Sequence, residues 1–189
     1  MIGLVALRRA TASFLRDRRG VSALEFALIA PIMIAAYCGM SELSSALMTA
    51  QRNSHSASAV GDLAAQYQTL QLSDVNNIFA ASTLIMQPFT ATPLQLRLTS
   101  VTLQSGNKAV VDWSEVSGAG ISKYAVGATY APTLPAGLLV NTGDSIVISE
   151  ADYAYTSPVT YTLPKLLNFS NIFYLRPRYG ATIACTTCT

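Results

Sequence analysis

The sequence is poor in charged side chains and in the residue types that build most catalytic sites. Only 12% of its 189 residues are Asp, Glu, Lys or Arg, whereas 51% are apolar, an unusual balance for a soluble globular protein. A Ser-His-Asp triad would depend entirely on the single histidine, His55, which lies among serines and is expected to be solvated. No glycine loop that would cradle a phosphate follows a strand and opens a helix. We therefore expect no enzyme, with no catalytic residues, no metal site and no cofactor.

Cysteine is also scarce, which excludes a disulfide-rich scaffold. Cys38 lies in an apolar run, where a small buried hydrophobe is the expected role. Cys185 and Cys188 form a C-x-x-C near the C-terminus, without the two further soft ligands that a zinc site needs. If this part of the chain lies outside the cytoplasm, a disulfide between Cys185 and Cys188 is favoured. Two reduced thiols remain the alternative.

The few charges are unevenly distributed along the chain. Residues 1–20 contain five arginines and one aspartate, a net charge of +4, which leaves a net charge of −2 for the remaining residues. A nucleic-acid-binding domain carries its basic patch on the folded body, so we expect no nucleic acid partner.

An apolar segment follows this basic start. Phe26 to Met40 contains no charge. Extension to Val21 and Leu43 gives about 23 residues, interrupted by Glu25 and Glu42, against roughly 20 for a bilayer-spanning helix. Upstream arginines predict a cytoplasmic N-terminus, a single pass and a C-terminal body on the other side of the membrane. A cleaved secretory signal is the alternative, but "CGM" is a poor cleavage site and "SELSSALM" follows it.

Glu25 is an acid at the start of this apolar segment. A carboxylate in the bilayer interior costs on the order of 2.5–3.5 kcal/mol, unless it lies at the interface or is neutralised. If the chain is cut after Gly20, Val21 carries a free amine one helical turn from Glu25, on the same face. The amine and the acid then pair within one chain or between neighbouring subunits, which would register their helices. Pro31, further along, is expected to kink the helix.

Small residues recur at helical spacing after the apolar segment, on a stripe expected to pack against the chain's own domain or against another subunit. Its members are Ala46, Ala50, Asn53, Ala57, Val60, Ala64 and Tyr67. A second helix is predicted with Ser73 as its N-cap and Pro88 after its end. Its apolar face comprises Val75, Ile78, Phe79, Ser82, Ile85 and Met86.

From Leu94 the apolar period changes to two, which predicts strands. "LQLRLTSVTLQ" and "KAVVDW" form a hairpin with a bulge near Thr99, and "DSIVISEADYAY" and "NIFYLRPRY" supply two more strands. Residues 114–143 are predicted to be a long loop. Arg176 and Arg178 share one strand face, with Glu150 as their expected cross-strand partner. The sequence thus predicts about four antiparallel strands packed on the C-terminal part of the long helix.

Three stretches together resemble a known family. A basic leader, Gly20, "VSAL", Glu25 and an aromatic residue resemble a class 3 prepilin signal, and "RRGVSALEFALIAPIM" resembles the start of TadE-like minor pilins, or pseudopilins, of the tight-adherence (Flp) pilus machinery. "SIVISEADYAYTSP" resembles a late strand of that family, and "FYLRPRYGATIAC" its closing strand. The residues that carry these two likenesses are Glu150, Tyr153, Tyr155, Arg176, Pro177 and Arg178. Pro158 departs from the family pattern, because it follows Tyr155 by three residues, later than expected.

The resemblance implies an α+β fold, with a pilin-like long N-terminal helix on a small antiparallel sheet. It implies cleavage by a prepilin peptidase between Gly20 and Val21, with Glu25 registering the assembled helix. The implied partners are that peptidase, other pilins through the N-terminal helix, inner-membrane lipid and the inner-membrane assembly platform. The implied layout is a leader over 1–20, a transmembrane and assembly helix over 21–43, a periplasmic helical region over 44–88 and a β-rich domain over 89–189.

A second hypothesis requires no cleavage. The chain would then be a permanently anchored periplasmic binding module, with residues 114–143 as the loop that contacts a ligand or partner.

Overall fold

The computed structural model describes residues 20–157 and 166–188, which form one long helix, a shorter helix and a four-stranded antiparallel sheet. The predicted α+β architecture is therefore confirmed. Apart from Gly20, the predicted basic leader lies outside the described residues, as does Pro158. The elements are α1 (Val21–Ala65), β1 (Thr69–Leu70), α2 (Leu72–Ile85), β2 (Leu94–Gln104), β3 (Lys108–Ser117), β4 (Ser145–Thr156), β5 (Leu166–Leu175) and β6 (Ala184–Cys185).

The main sheet has the strand order β3-β2-β4-β5, and all its neighbours are antiparallel. The predicted irregularity in β2 is present, because the register with β3 shifts between Ser100 and Val101. The extra residue is Asp112 on the partner strand. Its carboxylate accepts hydrogen bonds from the Ser100 and Thr102 hydroxyls at 2.9 and 2.7 Å, so the bulge places an acid between two donors.

One face of the sheet is covered by the C-terminal half of α1, which packs mainly on β4 and β5. The small residues of the predicted stripe allow this close approach, since Ala57, Val60 and Ala64 are at most 1% exposed. At Gly61 a Cβ would lie 3.0 Å from Ser149 Cβ and would also meet the end of the Leu175 side chain, so a larger residue would have to displace these neighbours. The expectation that the stripe packs on its own domain is thus confirmed.

Tyr67 is the exception on this stripe. α1 ends at Ala65, and the Tyr67 side chain is 39% exposed beyond that end. The helical period that placed Tyr67 on the buried face does not continue past the last turn.

The shorter helix α2 begins two residues earlier than predicted, at Leu72, and Ser73 is not its cap. Gln71 occupies the cap position, and its backbone N–H donates to the Asp74 carboxylate at 2.9 Å. Such a bond from the residue three positions on satisfies a backbone donor at the helix start. The apolar face is as predicted in most positions, with Val75, Ile78, Phe79, Ser82 and Met86 buried.

The C-terminus of α2 is tied to α1. The Arg52 guanidinium donates to the Ile85 carbonyl at 2.7 Å. The last carbonyls of a helix have no partner within the helix, and a cation is favourable at that end of its dipole. Arg52 therefore holds the two helices together at the end of α2.

The opposite face of the sheet is covered by residues 118–144, which connect β3 to β4. β3 extends to Ser117, so the first four residues of the predicted 114–143 loop belong to the strand instead. Side chains of the connection pack on the sheet in a second core, which contains Val101, Val111, Tyr130, Ile146 and Ile148. The connection is therefore folded and packs on this face of the sheet.

Arg97 and Glu150, which face each other across β2 and β4, hold this cover in place. Arg97 donates to the Glu150 carboxylate, to the Ser122 carbonyl at 3.0 Å and to the Tyr124 hydroxyl at 2.8 Å. Although burial acts to lower it, the bonded Glu150 carboxylate raises the pKa of Arg97. Burial and the same carboxylate raise the pKa of Tyr130. One ion pair thus links two strands to the loop.

The partner predicted for Glu150 was therefore wrong. Arg176 and Arg178 follow the end of β5 at Leu175, so they are not part of a strand. The Arg176 guanidinium donates to the Leu138 carbonyl at 2.8 Å, and Arg178 forms an ion pair with Asp62 of α1. The prediction that the two arginines share one strand face was also wrong, because Arg176 bonds to the loop on one side of the sheet and Arg178 pairs with α1 on the other.

The C-terminal segment closes the domain beside α2. β6 pairs in parallel with β1, and the buried Ile183 carbonyl accepts the Trp113 indole N–H at 2.7 Å. Cys185 and Cys188 are joined in a disulfide. Within that small ring, the Thr187 hydroxyl accepts the Leu72 N–H at 2.7 Å, so the ring caps the first turn of α2.

We predict that Arg97→Leu destabilises the protein by about 3–5 kcal/mol, because the buried Glu150 carboxylate loses its partner. Denaturant unfolding of the full chain in detergent measures this loss. Limited proteolysis should also become faster within residues 118–144.

Two variants control this prediction. Arg176→Leu removes an arginine that also bonds to the loop but leaves no buried acid, and it should cost about 1 kcal/mol or less. Arg97→Leu combined with Glu150→Leu should recover most of the lost stability. Equal proteolysis of the wild type and of Arg97→Leu would contradict the proposed restraint on the loop.

Candidate functional site: the projecting helix and its junction with the sheet

The first half of α1 projects from the folded domain. It contains an 18-residue window of mean hydropathy 1.9, none of which is buried. Leu24, Phe26 and Tyr37 are each more than 70% exposed. At 1.5 Å per residue, the 21 residues before the first buried position are about 31 Å long, close to the roughly 30 Å hydrocarbon core of a bilayer. This single helix is long and apolar enough to serve as a one-pass membrane anchor.

Glu25 lies on this projecting part, one turn after Val21, and its side chain is exposed. Gly20 immediately precedes the helix, so α1 begins at the bond predicted to be cut. Within residues 20–157 and 166–188, the Glu25 carboxylate has no hydrogen bond or ion pair. The acid is available to a group from outside the folded domain.

Pro31 lies ten residues into the helix, in the same unpacked part. Its ring nitrogen cannot donate to the Ala27 carbonyl. α1 nevertheless continues on both sides of Pro31, and the predicted kink stays a prediction. Further along, Cys38 is a free, half-buried thiol.

The projecting part ends at Glu42, the first buried residue of α1, which is 4% exposed. Its carboxylate accepts the Tyr155 hydroxyl hydrogen at 2.8 Å, between residues 113 positions apart. Burial, together with the bond to Glu42, raises the pKa of Tyr155 to about 12. The contact joins α1 to the end of β4 at the first residue of α1 that is buried in the domain.

Sequence reasoning treated Glu42 only as an interruption of the apolar run. A signal for its role was nevertheless present, because Glu42 precedes Ala46 by four residues and so extends the stripe of small residues backward by one turn. Tyr155 was correctly predicted on the same sheet face as Tyr153. The sequence pattern does not show that Glu42 and Tyr155 contact each other.

Asn53 forms a second polar link between α1 and the sheet. Its fully buried side-chain amide donates to the Ala151 carbonyl at 2.9 Å and to the Phe169 carbonyl at 3.1 Å. These carbonyls belong to β4 and β5, so one side chain bonds to two neighbouring strands. Glu42 and Asn53 thus fix the helix both along and across the sheet.

The described residues offer no arrangement typical of a metal site. No group of three or more His, Cys, Asp or Glu side chains comes together between residues 20 and 157 or between 166 and 188. His55 is exposed on α1. The notable features are therefore a helix, its acid and its junction with the sheet.

Residues 20–62 match the family model of TadE-like proteins. The resemblance predicted from the sequence is thereby confirmed over this range. The TadE-like range begins at Gly20, includes Glu25, Pro31 and Glu42, and ends within the packed part of α1; the sheet lies outside it. The TadE-like family is structural and points to a pilin associated with tight-adherence pili. No significant match was found among curated proteins or among solved structures.

We predict that Tyr155→Phe weakens the junction of the TadE-like helix with the sheet by about 1–3 kcal/mol, because a buried carboxylate loses its donor. Tyr153→Phe is the matched control: its hydroxyl donates to the Thr90 carbonyl at 2.9 Å, a neutral acceptor, and its loss should cost about 1 kcal/mol. Thermal unfolding of the full chain in detergent compares the two.

The same contact predicts a pH dependence. The folded-state pKa of Tyr155 is raised from 10.0 to about 12, so the folded state holds this proton more tightly than the unfolded state. Its stabilisation is complete below pH 10 and is lost as the pH rises toward 12. Tyr155→Phe should show a smaller loss of stability over this interval than the wild type, and identical slopes would argue against the contact.

Proposed function

We propose that this chain is a minor pilin or pseudopilin that acts in the assembly of a tight-adherence pilus. The observation that carries this proposal is an apolar helix left unpacked by its own domain, with an acid one turn from its first residue, inside the TadE-like range. A subunit that moves from lipid into a fibre needs such a helix, because both environments bury apolar surface that the monomer leaves exposed.

The first step of the proposed function is processing. A prepilin peptidase cuts between Gly20 and Val21, which removes the basic leader and creates an amine at Val21. That amine compensates the cost of a carboxylate in lipid, on the order of 2.5–3.5 kcal/mol. Before cleavage, the arginine-rich leader holds the N-terminus on the cytoplasmic side of the inner membrane.

The second step is registration. In the fibre, the Glu25 carboxylate of one subunit meets the Val21 amine of its neighbour, so helices are stabilised only when they stack in one register. Among residues 20–157 and 166–188, no hydrogen bond or ion pair engages the Glu25 carboxylate, which leaves it available for this contact. Other pilins bind through the same helix, and the inner-membrane assembly platform extracts the subunit from lipid.

This function assigns a role to each part of the chain. Residues 1–20 are the leader and residues 21–43 the transmembrane and assembly helix. Residues 44–88 are the periplasmic helical region and residues 89–189 the β-rich periplasmic domain, which is carried outside with the pilus. Pro31 softens the assembly helix, and the Cys185–Cys188 disulfide suits an oxidising compartment.

We predict that the mature protein begins at Val21. Mass spectrometry of protein purified from cells with an intact pilus system should find this N-terminus, and deletion of the peptidase should increase the mass by that of the leader. An N-terminus at Met1 in the presence of the peptidase would contradict the proposed function.

We also predict that Glu25→Ala is cleaved like the wild type but is depleted at least about tenfold from sheared pili, since tenfold corresponds to only 1.4 kcal/mol of assembly free energy. Ser22→Ala, an exposed position in the first turn of the same helix, is the matched control and should be incorporated normally. Normal incorporation of Glu25→Ala would defeat the registration step.

The second hypothesis, an uncleaved anchored binding module, is favoured by one observation. A cleft of about 400 Å³ lies between the loop over residues 118–144 and the β2–β3 hairpin, and its lining includes Tyr130, Leu134 and Leu139. This hypothesis requires that the chain retains Met1 and never leaves the inner membrane, so the N-terminal measurement separates the two.

A further inference from the structure

The two edge strands of the main sheet differ in their backbone hydrogen bonds to the rest of the chain, and this difference suggests an interaction surface. The edges are β3 and β5, since the order is β3-β2-β4-β5. An unpaired edge strand presents a row of backbone donors and acceptors that can template another strand. Natural sheets therefore cover such edges or interrupt them with charges, prolines or bulges.

Among the described residues, the loop pairs with the first part of the β3 edge, around Ala109 and Val111. Residues of the long loop form backbone hydrogen bonds with it: Val111 N–H donates to the Ala128 carbonyl at 2.9 Å, and Tyr130 N–H donates to the Ala109 carbonyl at 2.8 Å. The bulge at Asp112 further interrupts the strand. A partner strand has no continuous edge to pair with on this side.

The β5 edge is open. Among the described residues, only β4 pairs with β5, and no backbone hydrogen bond reaches it from the loops. Its ten residues, "LLNFSNIFYL", contain no charge, no proline and no glycine. None of the usual devices that block edge pairing is present in this strand.

Side chains along β5 are also incompletely covered. On the face shared with α1, Leu167, Phe169 and Phe173 pack on the core but are only partly buried. On the other face, Asn168 and Ser170 are exposed, and Ile172 is 45% exposed. A strand with apolar residues toward α1 and polar residues opposite would finish the burial that α1 begins.

We propose that β5 accepts an extended strand from a different pilus subunit, which adds to the sheet as a fifth strand. The open backbone edge supplies the affinity, and the half-covered apolar row selects the partner's alternating side chains. This inference rests on the proposed function for the identity of the partner as a pilus component.

The direction of β5 excludes a second copy of this chain paired through the same edge. Thr156 and Leu166 pair near the Glu42 end of the helix, whereas Leu175 lies against Gly61, so β5 runs parallel to α1 and away from the membrane. Two copies related by a two-fold axis would pair their β5 strands antiparallel. Their projecting helices would then point in opposite directions, which one membrane cannot accommodate.

A photo-cross-linking residue at Ser170, in the full chain expressed with the complete pilus machinery, tests the proposal. The expected result is an adduct whose cross-linked peptide lies in one uncharged segment of another pilus subunit. Ile172→Lys in the same chain should abolish this adduct, because a lysine on the edge opposes strand addition. Val140→Lys, at a 66% exposed apolar position of the loop, is the matched control and should leave the adduct unchanged.

Hydrogen exchange gives a second readout that does not depend on the lysine variant folding normally. In the isolated full chain in detergent, alternate β5 amides should exchange quickly, and in assembled pili these amides should be protected. Unchanged exchange in assembled pili, or adducts formed only with lipid, with the same chain or with β5 of a second copy, would overturn the inference. An intact Met1 N-terminus would instead overturn the proposed function, so the two failures are distinguishable.

Discussion

The hydrogen bond between Tyr155 and Glu42 marks the point at which one helix changes its environment. Before it, α1 is largely apolar and none of its residues is buried. After it, small residues and Asn53 seat the helix on β4 and β5. The exposed half and the packed half belong to one continuous helix of 45 residues. The angle at which the packed half sits on the sheet therefore sets the direction of the exposed half, and a small rotation at the boundary would move its far end by a large distance. The buried acid and its donor supply that constraint.

The sheet beneath the helix is covered on both faces, yet among the described residues only the β3 edge is paired with another part of the chain, around Ala109 and Val111. α1 and α2 cover one face, and the Arg97–Glu150 pair holds the long loop on the other. That loop also supplies the backbone bonds to the β3 edge. Since the helix, the loop and the C-terminal ring are all used in covering other surfaces, β5 is left with an edge that no described residue pairs. The proposed interaction surface therefore follows from the packing of these segments on the other surfaces of the sheet.

Sequence reasoning recovered the parts of this fold that depend on local periodicity. The helical stripe, the apolar face of α2, the irregular hairpin and the four strands of the main sheet all follow from spacings within a few residues, whereas the parallel pair of β1 and β6 was not predicted. Sequence reasoning failed where it had to assign a helix cap or an ion-pair partner. Ser73 was predicted as the cap because hydroxyl residues are common caps, whereas Gln71 occupies that position. Glu150 was assigned to Arg176 and Arg178, although Arg97 faces it across the sheet.

The sequence by itself determined the apolar helix, its acid five residues after Gly20 and the TadE-like character of residues 20–62, because these are properties of neighbours along one helix. Only the tertiary structure decided where the helix becomes buried, which arginine neutralises Glu150 and which sheet edge stays open. Each of these depends on contacts between residues about 50 to more than 100 positions apart, or on their absence. Spacing within a segment carries no information about which distant segment arrives beside it.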